Sequence, residues 1–199
     1  MPDNNINNKF DDYFLHLQKI TFVGRIYKKF FTSPILFLCA RRFGRDIVEI
    51  GSGTGNGILG AFSKRVRGLE INPISVEYCK KTGLNVDLIQ ADKSYPIADA
   101  TIDACVLDNV LEHIEDAKFT LDECYRIIKK NGGLIIAVPG LRGFESDADH
   151  KQFYGINELT HLDGRWQLLG IFSTPFIFKS ESLSNSIKQY CLVASYRKL

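Results

Sequence analysis

Residues 46 to 55 read Asp46-Ile47-Val48-Glu49-Ile50-Gly51-Ser52-Gly53-Thr54-Gly55, and 19 positions beyond Gly51 a second apolar run, Val66-Arg67-Gly68-Leu69-Glu70-Ile71, reaches Glu70. The first stretch is a β-branched strand stopped by a turn with glycine at alternate positions. Glycines without Cβ atoms let such a turn adopt positive φ and let its backbone approach a ligand closely. A carboxylate ending the neighbouring strand can accept hydrogen bonds from two ribose hydroxyls. Together these are what an α/β sheet needs to hold an adenosine-containing cofactor.

The spacing separates one such cofactor from another. A dinucleotide turn wants Gly-x-Gly-x-x-Gly, and the third position of that pattern is Asn56 here; the chain has Gly51, Gly53, Gly55 and Gly57 instead, after Glu49. Further along, Asn72-Pro73 opens a helix with a capping side chain and a proline at the first helical position, and Gly83 closes it. Val86 to Asp92 reads as a strand ending in an acid, and Ile102 to Leu107 as the next strand, running into Asp108-Asn109-Val110-Leu111-Glu112-His113-Ile114.

In that order, from about residue 46 to the C-terminus, the chain resembles the class I S-adenosylmethionine-dependent methyltransferases, in particular the small type 11 group. Glu49-x-Gly51-x-Gly53-x-Gly55 looks like their first motif, and the Val-Leu-Glu-His-Ile string is among their more specific signatures. The resemblance implies S-adenosylmethionine as cofactor and S-adenosylhomocysteine as product. It implies contacts from Glu49, Gly51, Ser52, Gly53, Gly55, Glu70 and Ile71, an adenine contact at Asp92 with Lys93 beside it, and Asp108 and Asn109 against the methionine half. His113 reads as a helix cap or loop anchor rather than a catalytic group.

The expected architecture is α/β: a Rossmann-like, doubly wound, mostly parallel seven-stranded sheet with an antiparallel last strand and helices on both faces. Within it, Asp116 to Lys130 reads as a helix with an acidic start, a basic end and an Asn131-Gly132-Gly133 stop. Leu134 to Val138 is the fifth strand, and Gln167 to Phe178 and Gln189 to Tyr196 are the final pair. At 199 residues and 45% hydrophobic content the chain suits one domain, with residues 46–199 as its body and residues 1–45 as a basic, aromatic helical segment serving as lid or docking surface.

That segment carries Lys19, Arg25, Lys28, Lys29, Arg41, Arg42 and Arg45, with no acid between Tyr13 and Arg45, interleaved with Phe22, Tyr27, Phe30, Phe31 and Phe37. It suits an anionic substrate or a negatively charged membrane surface, or else an ordinary amphipathic helix with a solvated basic face. RNA ranks below a small-molecule or glycan acceptor, in the absence of a recognisable RNA-binding module. Five cysteines (Cys39, Cys79, Cys105, Cys124, Cys191) lack metal-type spacing and read as buried, reduced thiols. With no signal-peptide core and no apolar run of about 18 residues, the expected compartment is the cytoplasm.

The acceptor is expected at the loop after the fifth strand, where Arg142, Asp147, Asp149, His150 and Tyr154 crowd together. For a hydroxyl acceptor the first candidate base is His150, oriented by Asp149 or Asp147, with Tyr154 positioning the acceptor and His161, in a short helix from Asn157 to Leu162, as the second candidate. A metal set of Asp147, Asp149 and His150 is thinly supported, and no metal is expected. A nicotinamide-dependent oxidoreductase is disfavoured by the glycine spacing; a non-catalytic partner of a larger enzyme stays open.

Overall fold

The computed structural model describes residues 10–11, 14, 28–175 and 180–199. A short π-helical turn, Lys28–Thr32, leads into helix α1 (Ser33–Arg41). Then follow β1 (Ile47–Ile50), α2 (Ile58–Ala61), β2 (Val66–Glu70), α3 (Pro73–Lys81), β3 (Val86–Leu88) and β4 (Ile102–Asp108). After a 3-10 turn, Leu111–His113, come α4 (Lys118–Ile127), β5 (Ile128–Pro139), α5 (Leu141–Phe144), α6 (Ile156–Thr160), β6 (Trp166–Thr174), α7 (Glu181–Ser186) and β7 (Cys191–Lys198).

The seven strands form one sheet in the order β3-β2-β1-β4-β5-β7-β6. The pairs from β3 to β5 are parallel, and β7 runs antiparallel to both β5 and β6. This is the expected sheet, with only the last strand reversed. Two apolar cores confirm that helices cover both faces, because successive strand residues divide between them. Val48, Cys105, Leu107, Leu134 and Ile136 pack with Leu121, Cys124 and Ile127 of α4. Ile47, Ala104, Val106, Ile135 and Ala137 pack with Leu36, Phe37 and Ala40 of α1, Ile58 and Leu59 of α2, and Val76 and Cys79 of α3. The order of pairing reverses direction between β1 and β4, and in a sheet of this kind the crevice lies beyond the carboxyl ends of those two strands.

Several boundaries differ from the sequence reading. β3 stops at Leu88, because its one neighbour among the described residues, β2, ends at Glu70, which pairs with Leu88; Asp92 therefore lies on a turn rather than at a strand end. α4 stops at Ile127, and Lys129 to Gly132, read as a helix end, belong to β5 as a bulge. There Ile128 pairs with Ile102 and Gly133 with Ala104, Asn131 turns through φ 63°, and Lys129 Nζ reaches Asp103 at 2.6 Å. The short helix near His161 runs Ile156–Thr160, and the final strands are shifted to Trp166–Thr174 and Cys191–Lys198; residues 176–178 of the expected strand lie outside the described residues. So do Lys19, Phe22, Arg25 and Tyr27 of the basic segment. No helix among the described residues is long and apolar enough to cross a membrane. The five cysteines are free thiols, and all but Cys191 are buried.

Candidate active site

The turn after β1 is held from three sides. Gly51 and Ser52 donate their N–H groups to the Leu69 carbonyl at 2.8 and 3.1 Å, which fastens the turn to β2. Gly53 donates to Glu70 Oε2 at 2.6 Å, and its carbonyl accepts from the Cys79 thiol of α3 at 3.4 Å. Gly51, Gly53 and Gly55 all sit at positive φ, at 67°, 53° and 76°. A Cβ on Gly51 would stand 2.7 Å from Val110 Cγ2, so the bare backbone is required by space as well as by conformation.

Glu49 works beneath this turn. Its two carboxylate oxygens accept from the N–H groups of Ile58 and Leu59 at 3.1 and 2.8 Å, satisfying the first turn of α2. Burial pushes its carboxyl up to about 8; Asp108 adds to the rise, while the N–H bonds and Lys28 oppose it. A Cβ on Gly57 would fall 2.0 Å from Glu49 Oε1, so the carboxylate occupies the space that this glycine leaves. Glu49 thus shapes the turn from behind, which is how the structure places a residue that the sequence grouped with direct contacts.

Glu70 faces the turn. It is 3% exposed, and besides Gly53 it accepts from Ile71 and Asn72 N–H at 3.0 and 2.9 Å. Burial raises its carboxyl, and those three N–H groups counter the rise. Next to it, Ile71 is exposed, leaving an apolar side chain open at the strand end. Asn72 caps α3 by accepting from Ile74 and Ser75, and its amide donates to the Phe10 carbonyl at 2.9 Å. Asp92 and Lys93 are exposed on the turn beyond β3.

At the tip of β4, Asp108 is buried and accepts from Lys28 Nζ at 3.0 Å and from Asn109 Nδ2 at 3.2 Å. Burial works against the Lys28 charge, but Asp108 and Glu49 outweigh it and hold the ammonium above its ordinary range. Asn109 is another positive-φ residue, at 58°, and its N–H donates to Ala137 of β5. Lys28 was read only as part of a basic run; its place on Asp108 carried no local sequence signal.

The acceptor loop behaves differently from the expectation of an Asp-oriented histidine. His150 Nδ1 lies 2.7 Å from the Phe144 carbonyl, and its ring stacks on Phe144 with centroids 5.2 Å apart. Its other neighbour is His113, with ring centroids at 4.7 Å and 64° between the planes. Asp147 accepts from Asp149 N–H at 3.0 Å within its own turn. Among the described residues the potential ligands that assemble are therefore Glu112, His113 and His150, in place of the set Asp147, Asp149 and His150. Glu112, quoted in the Val-Leu-Glu-His-Ile string but compatible there with a solvated side chain, is buried and also anchors the loop: its carbonyl accepts from Lys151 and Gln152 at 2.6 and 3.2 Å. Tyr154 and His161 line a separate groove with Glu115, Asp116 and Asn157, where His161 Nδ1 lies 3.0 Å from the Asn157 carbonyl. Burial raises the Tyr154 hydroxyl, and the nearby charge of Glu112 adds to it.

The residues fit an adenosine-type ligand on two counts: a buried strand-end carboxylate bonded to the positive-φ glycine turn, and an exposed Ile71 beside that carboxylate. Comparison with known proteins agrees. Residues 48–136 match the family described as methyltransferase domain. A probable S-adenosylmethionine-dependent methyltransferase of Mycolicibacterium smegmatis is 28% identical over 134 residues, covering 63% of this chain and 52% of the relative. The chain thus spans about half the length of the curated relatives it matches. Among solved structures, a Thermotoga maritima S-adenosylmethionine-dependent methyltransferase, described as a possible histamine N-methyltransferase, superposes with a TM-score of 0.69 at 20% identity, covering 96% of this chain and 99% of that one. A putative Haloferax volcanii methyltransferase, solved with its Trm112 activator, gives 0.72 at 15% identity, covering 96% of each chain.

Proposed function

We propose that this chain, whose residues 48–136 belong to the methyltransferase domain family, transfers a methyl group from S-adenosylmethionine to an oxygen of a small molecule or glycan precursor. The observation that carries the reading is the Glu70 carboxylate, seated at the end of β2 and bonded to the Gly53 N–H of the glycine turn. When bound, the cofactor supplies an electrophilic methyl on a sulfonium. The chain's own work is alignment, which fixes the nucleophile in line and removes much of the entropic barrier.

Glu70 would hold the ribose, the backbone from Gly51 to Gly55 would lie against the nucleoside, Ile71 would cover the adenine and the tip at Asp108 and Asn109 would face the methionine half. Asp92 with Lys93, exposed as they are, would close over the base. The acceptor hydroxyl has to lose its proton as it attacks, and we assign that event to the face formed by Glu112, His113 and His150, with Tyr154 positioning the acceptor from the neighbouring groove and His161 at its far side. Lys29, exposed beside the Lys28 that reaches the Asp108 tip, favours an anionic acceptor or an anionic membrane surface nearby, whereas Arg41 and Arg42 sit at the opposite end of the sheet, ahead of β1.

The experiment is to incubate purified protein with S-adenosylmethionine and a panel of sugar, phenolic and lipid hydroxyl acceptors, with amine and carboxylate analogues alongside, and to follow methylated product and S-adenosylhomocysteine by mass spectrometry. Product on hydroxyls alone supports the reading; product on amines or carboxylates moves the acceptor atom, and no product with any of them favours a non-catalytic role.

A further inference from the structure

We propose that Glu112, His113 and His150 form a site for one divalent transition-metal ion of the zinc type, on the acceptor side of the cleft. One donor atom from each residue lies within 4.8 Å of the others. Nitrogen and oxygen ligands sit about 2.0–2.2 Å from zinc, so donors around a tetrahedral ion stand roughly 3.4 Å apart, and modest side-chain rotation closes the difference.

Glu112 supplies the strongest argument. Its side chain is buried at 1% exposure, and neither carboxylate oxygen has a hydrogen-bond partner. A buried carboxylate without a donor is costly, and a coordinated cation removes that cost.

The two histidines are oriented as ligands are. The Phe144 carbonyl can only accept, so the contact at His150 Nδ1 places the ring proton there and leaves the Nε2 lone pair for a metal. His113 is held by a contact to the backbone of Asp149, the same kind of outer support. The segments carrying the ligands are clamped together, because the Glu112 carbonyl takes the N–H groups of Lys151 and Gln152. Two imidazoles and a carboxylate suit zinc and its transition-metal neighbours better than magnesium or calcium.

Three protein ligands leave a coordination position open, the arrangement of catalytic rather than structural zinc. Its catalytic consequence rests on the hydroxyl-acceptor reading above: an acceptor oxygen bound there would be acidified and release its proton to solvent water, with no free base required. The metal site itself does not depend on that reading.

The test uses the full chain stripped with EDTA, then titrated with Zn²⁺ or Co²⁺ by calorimetry, with the visible absorption of Co²⁺ reporting its coordination. We expect one saturable equivalent, weakened about tenfold or more in His113→Ala, His150→Ala and Glu112→Gln. His150 is only half-buried, so His150→Ala keeps the test valid where Glu112→Gln loses its far-UV circular dichroism. No saturable binding, or equal affinity in folded variants, overturns the site. S-adenosylmethionine is titrated in parallel: cofactor binding without metal binding overturns the metal site alone, and metal binding without cofactor binding overturns the methyltransferase reading alone.

Discussion

Lys28 Nζ stands 3.0 Å from Asp108 Oδ2, joining the turn ahead of α1 to the tip of β4. Asp108 has a side chain only 2% exposed, against 25% for Lys28, so the pair is partly withdrawn from water. Breaking a buried pair from one side leaves an uncompensated charge. Lys28→Met should therefore destabilise the fold by about 1–3 kcal/mol, discounted for the exposed lysine stem. Lys28→Met with Asp108→Asn should lose less than the two single changes added together. Urea unfolding of the four proteins measures the coupling, and strict additivity would show that the pair contributes nothing.

Glu70 is the acceptor of three backbone N–H groups, from Gly53, Ile71 and Asn72. Glu70→Gln keeps the shape but turns one acceptor into a donor that faces N–H groups. Losing a charge-assisted bond is worth about 1.5–3 kcal/mol. S-adenosylmethionine affinity measured by calorimetry should fall by roughly ten- to a hundredfold, at 1.4 kcal/mol per tenfold. Wild-type affinity in a folded Glu70→Gln protein would remove the ribose contact from the mechanism.

Glu49 links stability to pH. Burial and Asp108 move its carboxyl from 4.5 up to about 8 in the folded chain, against the pull of the Leu59 and Ile58 N–H groups and Lys28. Between those values the folded state keeps a proton that the unfolded state has released. The stabilising contribution is complete below the unfolded value and declines as pH rises, with a slope of about 1.4 kcal/mol per pH unit at most for one group. Urea midpoints measured in metal-free buffer should fall from pH 5 to 8, and less steeply in Glu49→Gln. Part of the slope should survive, because Glu112 is raised to about 8 by burial as well. Identical slopes in the two proteins would mean that Glu49 is ionised throughout.

The first strand, the glycine turn and Glu70 were legible because each is set by local rules: β-branched runs, positive φ, and a carboxylate at fixed spacing. The mostly parallel character of the sheet, with helices on both faces, followed from alternating strands and helices. What escaped was decided across the chain. The apolar pattern of β3 continues to Ile89, but pairing stops where β2 stops, and no local signal records the length of a neighbour. Lys129, Lys130, Asn131 and Gly132 have the chemistry of a helix end, yet Ile128 already pairs with Ile102 and Lys129 binds Asp103 and Asp46. The histidine pair was hidden for the same reason. His113 and His150 belong to separate segments, brought together by the Glu112 carbonyl and the N–H groups that follow His150. Each histidine, considered alone, looked like an anchor or a base.

Gly51 allows two costs to be separated in one experiment. An alanine there must hold φ near 67°, and its Cβ would stand 2.7 Å from Val110 Cγ2. The left-handed backbone alone costs roughly 1–2 kcal/mol for a residue with a Cβ, and overpacking adds about 1–3 kcal/mol. Gly51→Ala should lose both, visible as a lower urea midpoint and weaker cofactor binding. Combining it with Val110→Ala removes the clash and leaves the backbone cost, so the double variant should be more stable than Val110→Ala and Gly51→Ala effects summed. If the two changes are additive, Val110 yields without strain and the turn is closed by backbone conformation alone. If the double variant regains stability but not cofactor affinity, the Cβ itself projects into the ligand's space, and the glycine is required by the nucleoside as well as by the fold.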